Sequence, residues 1–177
     1  MGTAKQLLPV DNRPAVVRCT ENIRDSGVDN IVVVVNPEGN EIVRVLKEYT
    51  VDIAVNDLPE CDMAESVRMG LSAIDGASTG IFICLCDYPL VTSATLSAMG
   101  REHDARPDSI IIPTFQGRRG HPTLFPRFIL EEIKKHSTLR DVISSYKDKI
   151  LFFHVADEGV VLDMDTPEEY QKILERC

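Results

Sequence analysis

Short apolar runs alternate with segments of helical periodicity along much of this chain. Residues 31–35 form an unbroken β-branched run, which is the pattern of a strand buried on both faces. The same pattern predicts two more strands at 51–55 and 81–85. Helices are predicted beside and between these strands, at 13–26, 38–49, 64–74 and 92–104. Because strands and helices alternate, we expect a three-layer, doubly wound α/β fold with a mostly parallel sheet.

The last third of the chain mixes shorter elements. A strand is predicted at 109–113, a short apolar run follows at 123–125, and two helical pieces lie within 126–145. Residues 151–155 and 160–162 are predicted to form a pair of late strands. The final helix is predicted to begin near Thr166 and Pro167, a capping hydroxyl followed by proline at the first helical position.

Composition narrows the class of protein. The 177 residues, of which 44% are hydrophobic, suit one domain over residues 1–177. A net charge of −9 opposes binding to nucleic acid or to an anionic membrane surface. No apolar stretch approaches the roughly 20 residues of a membrane span, and the first residues do not form a secretory leader. Five cysteines without a CxxC pair predict reduced thiols and a cytoplasmic location.

One acid is placed for chemistry by the run CLCDYPLV at 84–91. Asp87 follows the strand predicted at 81–85, and Pro89 prevents a helix from starting at once. In open α/β sheets, ligands bind just outside the carboxyl ends of the strands. Asp87 is therefore the first candidate for an active-site residue, although an acid at this place can also serve a turn or a helix cap.

A second acidic cluster, DMDTP at 163–167, precedes the last helix. Asp165 and Asp87 could share one Mg²⁺ ion, because Mg²⁺ takes one or two protein carboxylates and leaves its other positions to water and phosphate. The alternative is structural, since Asp165 stands where a capping residue would stand. A capping carboxylate could also serve both purposes.

The segment GRRGHP at 117–122 carries two arginines and a histidine between glycines. Arg118 and Arg119 offer forked donors suited to phosphate oxygens, and Gly120 permits close approach of a ligand. An exposed polar hairpin explains the same pattern equally well. His121 alone is more typical of a structural histidine, and the neighbouring sequence supplies no carboxylate partner for it.

Two weaker candidates lie in the first half of the chain. Ser66 and Arg68 belong to the segment CDMAESVRMGL at 61–71, where a helix start could receive an anion. An ordinary amphipathic helix accounts for the spacing of that segment just as well. Lys5 is a candidate phosphate ligand, although a lysine near a terminus is usually only solvated.

Taken together, these segments resemble the MobA-like nucleotidyltransferase family, and most closely its molybdenum cofactor cytidylyltransferase branch. The pairing of CDYPLV with a later DxDTPEEY is specific for the superfamily, and GRRGHP between them favours the cytidylyl or purine-hydroxylase maturation branch over the guanylyl one. The matching segments cover most of the chain in order: MGTAKQLLP at 1–9, DMAESVRMGL at 62–71, CDYPLV at 86–91, GRRGHPTLF at 117–125 and DMDTPEEY at 163–170.

The resemblance implies a nucleotide-diphospho-sugar transferase-like fold and a transfer of CMP from CTP to the terminal phosphate of molybdopterin, with release of pyrophosphate. It implies that Asp87 and Asp165 hold Mg²⁺ and that Lys5 contacts the triphosphate. It places Ser66 and Arg68 beside the nucleotide, and Arg118, Arg119, Gly120 and His121 beside the acceptor. Besides CTP or GTP and a molybdopterin-type cofactor, the implied partners include a molybdenum hydroxylase or its chaperone.

The sequence departs from the family at its start. The family's first strand and its LAAGxSxR loop are absent from these 177 residues, so we expect weak or no nucleotide transfer by this chain. We also expect an exposed apolar seam in the sheet. The alternatives are a guanylyltransferase, a sugar-phosphate nucleotidyltransferase of the same fold, and a non-catalytic protein that handles cofactor for a molybdenum hydroxylase.

Overall fold

The structure, a computed structural model, describes residues 4–58 and 62–177. Cys61 and residues 1–3, which belong to two of the segments compared above, lie outside the described residues. The strands are β1 (Pro9–Val10), β2 (Arg13–Pro14), β3 (Val32–Val35), β4 (Asp52–Val55), β5 (Gly80–Ile83), β6 (Ile110–Phe115), β7 (Arg118–Arg119), β8 (Thr123–Pro126) and β9 (Ile150–His154). The helices are α1 (Ala15–Asp25), α2 (Asn40–Val45), α3 (Met63–Ala73), α4 (Ser93–Ala105), α5 (Arg127–Leu130), α6 (Leu139–Ser145) and α7 (Pro167–Leu174).

The main strands fall into two separate sheets. β3 and β4 pair in parallel, with Val33 opposite Ile53. The larger sheet has the order β5-β8-β6-β7, with β9 also paired to β6. Within it β8 runs antiparallel to β5 and β6, whereas β9 runs parallel to β6. β1 and β2 form a small hairpin of their own.

Helices cover both faces of the larger sheet. Successive residues of β6 point to opposite faces. Ile110 and Ile112 pack with Phe125 and with apolar residues of α3 and α5, whereas Ile111 packs with Met99 of α4. The central isoleucines and Met99 are 6% exposed or less. The prediction of a three-layer α/β fold is therefore confirmed.

The prediction of a second late strand is wrong. Residues 160–162 were expected to pair as a strand, but Glu158–Val161 is a 3-10 turn. Asp157 accepts a hydrogen bond from the Gly159 amide and starts this turn, and Val160 is completely buried. The apolar run at this position reflects packing into the core, because a short buried turn and a short buried strand share the same apolar pattern.

The start of α7 follows the sequence prediction. Thr166 accepts a hydrogen bond from the Glu169 amide, and the Glu169 side chain accepts one from the Thr166 amide. Pro167 occupies the first turn. This capping box orients the chain just before the helix, where Asp165 lies. None of the helices in the described ranges is long and apolar enough to cross a membrane.

His103 is a buried titratable residue on α4. It is 5% exposed, its Nδ1 has no hydrogen-bond partner, and a Cβ at Gly80 would lie 2.6 Å from its Nε2. Burial lowers the pKa of His103 below its ordinary 6.5. The unfolded chain therefore binds this proton more readily than the folded protein, and the free energy of unfolding falls as the pH drops from about 6.5 to the lower pKa of the folded state.

We expect His103→Gln to reduce the loss of stability between about pH 7.5 and pH 5.5, because the substituted side chain does not titrate. Urea unfolding at the two pH values measures this loss. His154→Gln removes an exposed histidine and serves as the matched control. An equal loss of stability in the His103 variant and the control would contradict the assignment.

Candidate functional site

Asp87 lies in a turn directly beyond β5. The Tyr88 amide donates to the carbonyl of Leu85 at 3.2 Å, so the chain turns as soon as the strand ends. The side chain of Asp87 is only 18% exposed, and its Oδ1 is buried with no hydrogen-bond partner among residues 4–58 and 62–177. A buried carboxylate oxygen without a partner is costly unless it receives a ligand or a cation. Asp87 therefore does not cap a following helix, and its buried Oδ1 can still accept a hydrogen bond or bind a cation.

Lys5 joins the two acids that the sequence singled out. Its Nζ lies 3.0 Å from Asp87 Oδ2 and 2.5 Å from Asp165 Oδ1. A 3-10 turn, Lys5–Leu7, carries the lysine. Partial burial lowers the pKa of Lys5, but the hydrogen bonds to Asp165 and Asp87 outweigh burial and raise it above 10.5. Lys5 is thus held by partners 82 and 160 residues away and is not simply solvated.

Asp165 is exposed to solvent, whereas the residue before it is buried. Met164 is completely buried, and Thr166 rather than Asp165 caps α7. The side chain of Asp165 is 60% exposed. Because the cap is supplied by the next residue, the Asp165 carboxylate remains available to a cation, and here it faces the ammonium group of Lys5.

His121, Tyr88 and Asp163 lie close together, and the sequence did not predict that these three side chains meet. The ring of His121 lies 4.8 Å from the ring of Tyr88, and the Tyr88 hydroxyl donates to Asp163 Oδ2 at 3.4 Å. Burial lowers the pKa of His121 below 6.5, despite the nearby charges of Asp87 and Asp163. Burial and then Asp163 raise the pKa of Tyr88 to about 12. The only sequence signal for this group was the alternation of acids in DMDTP.

Burial, followed by the charge of Glu169, also raises the pKa of Asp163 above 3.8. Its carboxylate is therefore a weaker acid than an exposed aspartate. The His121 ring lacked a carboxylate partner in the neighbouring sequence, yet the fold brings two carboxylates close enough to act on it. The imidazole of His121, the phenol of Tyr88 and the carboxylates of Asp87 and Asp163 therefore form one interacting group.

The GRRGHP segment is partly a hairpin, as one of the two interpretations predicted. β7 pairs with the end of β6, with Thr114 opposite Arg119, and Gln116 and Gly117 have positive φ in the turn. Arg118 and Arg119 are exposed. The guanidinium of Arg119 lies 4.6 Å from the centre of the Phe152 ring, and that of Arg118 donates to the carbonyl of Val161 at 3.5 Å.

Gly120 is required by packing. A Cβ at this position would lie 2.2 Å from the carbonyl oxygen of Val160. The Gly120 amide donates to Pro113, and the His121 amide donates to Val160 at 2.8 Å. These contacts join the end of β6 to the turn before DMDTP. The glycine that the sequence suggested for ligand approach is closely approached by the protein's own backbone.

Ser66 and Arg68 lie on α3, which Asp62 caps by accepting from the Glu65 amide. Ser66 accepts a hydrogen bond from Asn56 at 3.1 Å. The Arg68 guanidinium donates to the carbonyls of Ile133 and His136 and pairs with Glu65. Arg68 therefore fastens α3 to the turn after α5, and its role beside a nucleotide stays a prediction.

One cavity of about 980 Å³ brings together Lys5, Ser66 and Asp87. Asp165, Arg68 and the GRRGHP residues are not among the residues that line it. Asp165 is nevertheless linked to the cavity through its contact with Lys5. The candidate site is thus the mouth of this cavity, where the lysine and both carboxylates meet.

The two carboxylates suit a hard divalent cation. Asp87 has a buried oxygen without a partner, and Lys5 shows that a positive charge is accepted between Asp87 and Asp165. Among residues 4–58 and 62–177, no group of three or more His, Cys, Asp or Glu is arranged to enclose a metal. An ion held by two carboxylates and completed by water and phosphate oxygens fits this pair, because Mg²⁺ is commonly bound in that way.

The free cysteines in the described part of the chain are Cys19, Cys84, Cys86 and Cys177. Burial raises the pKa of Cys84 to about 12 and that of Cys86 to about 11. Thiols of such high pKa are poor nucleophiles near neutral pH. The cysteines beside Asp87 therefore act as apolar packing.

Comparison with solved structures identifies proteins of similar shape. The chain is 27% identical to Rv0371c from Mycobacterium tuberculosis H37Rv, with a TM-score of 0.85 over 99% of this chain and 91% of that one. A crystal structure of Rv0371c in complex with manganese gives 26% identity and a TM-score of 0.82, covering 98% and 93% of the two chains. A nucleotidyl transferase from Methanothermobacter shares the fold at 16% identity, with a TM-score of 0.83 over 98% and 85%.

Sequence comparison gives one match to a single protein over 89 residues and one match to a domain family over residues 1–150. Over 89 residues the chain is 33% identical to the bifunctional protein GlmU of Streptomyces coelicolor. The matched segment is 49% of this chain and only 18% of the length of GlmU. Residues 1–150 match the MobA-like NTP transferase domain. Because this match covers most of the chain, the chain belongs to the MobA-like NTP transferase domain family.

Proposed function

We propose that this protein is a Mg²⁺-dependent nucleotidyltransferase that moves CMP from CTP to the terminal phosphate of a molybdopterin-type acceptor. The observation that carries the proposal is the placement of Lys5 between Asp87 and Asp165 at the mouth of the cavity. Membership of a family of NTP transferase domains supports the reaction class. The segment GRRGHP supports the cytidylyl branch.

Asp87 and Asp165 would hold the divalent ion. When bound, Mg²⁺ supplies neutralisation of the triphosphate charge as the pyrophosphate departs. The crystal structure of Rv0371c in complex with manganese supports the use of a divalent ion by this protein. The protein provides two fixed carboxylates, one nearly buried and one exposed, at the ends of two different elements.

The transfer needs positioning and charge neutralisation rather than a covalent nucleophile. An oxygen of the acceptor phosphate forms a bond to the α-phosphorus of CTP. The bond from that phosphorus to the bridging oxygen breaks, and pyrophosphate leaves with the electron pair. Lys5 exchanges its carboxylate partners for triphosphate oxygens, while Ser66 lies beside the nucleotide in the same cavity.

In this proposal the acceptor lies beside the GRRGHP segment. Arg118 and Arg119 are exposed and offer positive charge to its phosphate. His121, whose pKa is lowered by burial, is neutral near pH 7 and offers a hydrogen bond rather than a charge. A molybdenum hydroxylase or its chaperone would receive the product. The acceptor and this downstream partner rest on the resemblance of GRRGHP and DMDTP.

Calorimetric titration with CTP and with GTP, each with and without Mg²⁺, tests the proposal. We expect CTP to bind more tightly than GTP, and only in the presence of Mg²⁺. A preference for GTP would move the protein to the guanylyl branch. Binding that is independent of the metal would contradict the role of the two carboxylates. Binding of CTP without turnover of a molybdopterin acceptor, in a version to which the family's first strand and LAAGxSxR loop have been added, would favour the non-catalytic alternative.

Lys5→Met is expected to tighten binding of Mn²⁺ alone by about two- to fivefold, because the partly exposed internal cation that competes for the carboxylates is removed. The same substitution is expected to weaken binding of CTP in the presence of metal, since the triphosphate loses its charged donor. Calorimetry with Mn²⁺ alone and then with CTP separates the two effects.

Lys134→Met is the matched control, because Lys134 is an exposed lysine on the turn after α5. It should leave both affinities unchanged. If Lys5→Met weakens Mn²⁺ binding, or behaves like the control in both titrations, the ammonium group of Lys5 does not occupy the metal's place.

A further inference from the structure

The β5–α4 loop, residues 84–91, carries the more buried carboxylate of the site and forms neither helix nor strand. Its backbone carbonyls therefore depend on donors from other segments, because buried polar groups of the backbone are normally paired. Arg18 Nε donates to the carbonyl of Pro89 at 3.1 Å. Asn22 Nδ2 donates to the carbonyl of Val91 at 2.9 Å. Arg18 and Asn22 lie one helical turn apart on α1, so one face of this helix holds the loop.

Arg18 also contacts the hairpin that β1 and β2 form. Its Nη1 lies 3.1 Å from Asp11 Oδ2. Asp11 and Asn12 form the loop of this hairpin, and both have positive φ, as a tight two-residue turn requires. α1 begins at Ala15, directly after β2. The hairpin, α1 and the β5–α4 loop are thus joined at Arg18, whose side chain is 26% exposed.

The same hairpin is joined to the helix that follows the second carboxylate. The Tyr170 hydroxyl on α7 donates to the carbonyl of Pro9 on β1 at 2.5 Å, although the two residues are 161 positions apart. A hydrogen bond of this kind is directional, whereas apolar packing alone is not. The contact between Tyr170 and Pro9 therefore fixes the place of α7 relative to the hairpin.

An apolar cluster fills the space between these segments. Leu90 of the β5–α4 loop packs against it, as does the ring of Tyr170. Close-packed side chains transmit a displacement instead of absorbing it. A shift of the hairpin would therefore move both of the segments that carry carboxylates. The completely buried members of the cluster come from the hairpin, the start of α1, the turn before α7 and α7 itself: Val10, Ala15, Met164 and Ile173.

A shared divalent ion makes the separation of the two carboxylates critical. Mg²⁺ demands nearly ideal octahedral geometry at about 2.0–2.1 Å, so two carboxylates bind it together only over a narrow range of separations. We propose that the β1–β2 hairpin and α1 form a frame that sets the separation of Asp87 and Asp165, with Arg18 and Tyr170 as its positioning residues. This inference rests on the metal site of the proposed function, and it adds two residues that act through the carboxylates.

Arg18→Met and Arg18→Gln form a matched pair of variants. Both remove the charge and the contact with Asp11, but glutamine Nε2 is as many bonds from Cα as arginine Nε and can still donate to Pro89. Removing a hydrogen bond to a metal ligand itself commonly weakens metal binding by about 10- to 100-fold, and Arg18 acts one step further away. We therefore expect Arg18→Met to weaken binding of Mn²⁺ alone by about three- to tenfold, and Arg18→Gln by less than about twofold.

Amide hydrogen exchange without metal gives a second comparison of the Arg18 variants. The Tyr88 amide donates to the carbonyl of Leu85 within the β5–α4 loop, so its exchange reports local opening of that loop. We expect it to exchange about threefold faster or more in Arg18→Met than in Arg18→Gln. Equal exchange, or equal loss of Mn²⁺ affinity in both variants, would show that the bond to Pro89 does not hold the loop, and would overturn the inference.

Tyr170→Phe removes only the hydroxyl that bonds Pro9. We expect it to weaken binding of Mn²⁺ alone by about threefold or more, measured by calorimetry. Tyr49→Phe is the matched control, because the Tyr49 hydroxyl donates to Glu21 at 2.9 Å and joins α1 to the segment after α2, which carries neither carboxylate. The control should leave Mn²⁺ affinity unchanged. Equal affinities of the two tyrosine variants would contradict a positioning role for Tyr170.

The double variant, Arg18→Met with Tyr170→Phe, tests whether both residues act through one frame. Independent effects on affinity multiply, because their free energies add. If breaking either contact already releases the separation of the carboxylates, the double variant should bind Mn²⁺ little more weakly than the weaker of the two single variants. Full multiplication of the two losses would overturn the shared frame.

Urea unfolding of the same variants separates positioning from stability. Variants that unfold more easily but bind Mn²⁺ like the unchanged chain would show that Arg18 and Tyr170 are only structural, and the metal site of the proposed function would stand. If the unchanged chain binds no Mn²⁺, that metal site fails and this inference fails with it. The two failures are therefore distinguished by the titration of the unchanged chain.

Discussion

Replacing Asp87 by asparagine is expected to lower metal-dependent nucleotidyl transfer by about 10²- to 10³-fold, which corresponds to several kcal/mol of lost charge stabilisation. The reason is geometric. Asp87 has the more buried of the two carboxylates, and its Oδ1 has no partner among the residues that the structure describes, so a cation is its natural counterpart. An asparagine keeps the shape and one oxygen but loses the charge that binds the ion.

The fold should survive this substitution. The ion pair between Asp87 and Lys5 is partly exposed, and pairs of this kind contribute about 1 kcal/mol or less. We therefore expect the free energy of unfolding to change by no more than about 1 kcal/mol. Asp165→Asn should lower activity less, because the side chain of Asp165 is 60% exposed and more easily replaced by water.

Transfer and Mn²⁺ affinity should be measured together, the latter by calorimetry. Because weak or no transfer is expected of the 177-residue chain, a version to which the family's first strand and LAAGxSxR loop have been added provides the baseline for the comparison of transfer rates. Asp108→Asn removes an exposed carboxylate from the turn between α4 and β6 and serves as the charge-matched control. Asp87→Asn with normal turnover and normal Mn²⁺ affinity would remove Asp87 from the site.

Local signals explain which parts of the structure could be predicted. The β-branched run at β3, the apolar strand before Asp87 and the Thr166 cap of α7 are properties of neighbouring residues. In each case one periodicity or one capping side chain decides the element. The prediction at 160–162 was wrong because burial alone was visible, and burial does not distinguish a strand from a turn that Asp157 starts.

Long-range contacts explain what the sequence did not show. Lys5 is separated from Asp165 by 160 residues, and no local pattern predicts such a pair. The contact of Tyr88 with Asp163 spans 75 residues, and it gives His121 charged neighbours that its own segment lacks. Residues of β3 and β5, which belong to different sheets, line one cavity, and no local pattern predicts that they meet.

Gly120→Ala is expected to destabilise the protein by about 3 kcal/mol or more, and to lower the melting temperature by about 6–12 °C. The added Cβ would lie 2.2 Å from the carbonyl oxygen and 2.7 Å from the carbonyl carbon of Val160. Both are backbone atoms, so a change of rotamer cannot relieve the clash. The segment around Val160 must move, and Val160 is completely buried.

Gly100→Ala is the matched control and should change stability in the opposite direction. Gly100 lies inside α4, and nothing approaches within 4 Å of the position of its added Cβ. Alanine is the better helix former, so we expect a gain of about 0.5–1 kcal/mol. Urea unfolding of both variants measures the difference directly, without any ligand.

Because the expected changes in the free energy of unfolding have opposite signs, this pair of variants is informative about the candidate site as well. The backbone amide of His121 donates a hydrogen bond to the carbonyl of Val160, and Asp163 follows the same turn, so a shift of this segment would displace both side chains from Tyr88. We therefore expect Gly120→Ala to lose stability even where no acceptor is present. A loss below about 1 kcal/mol would mean that the two backbones separate easily, and that Gly120 serves a ligand rather than the packing of the turn.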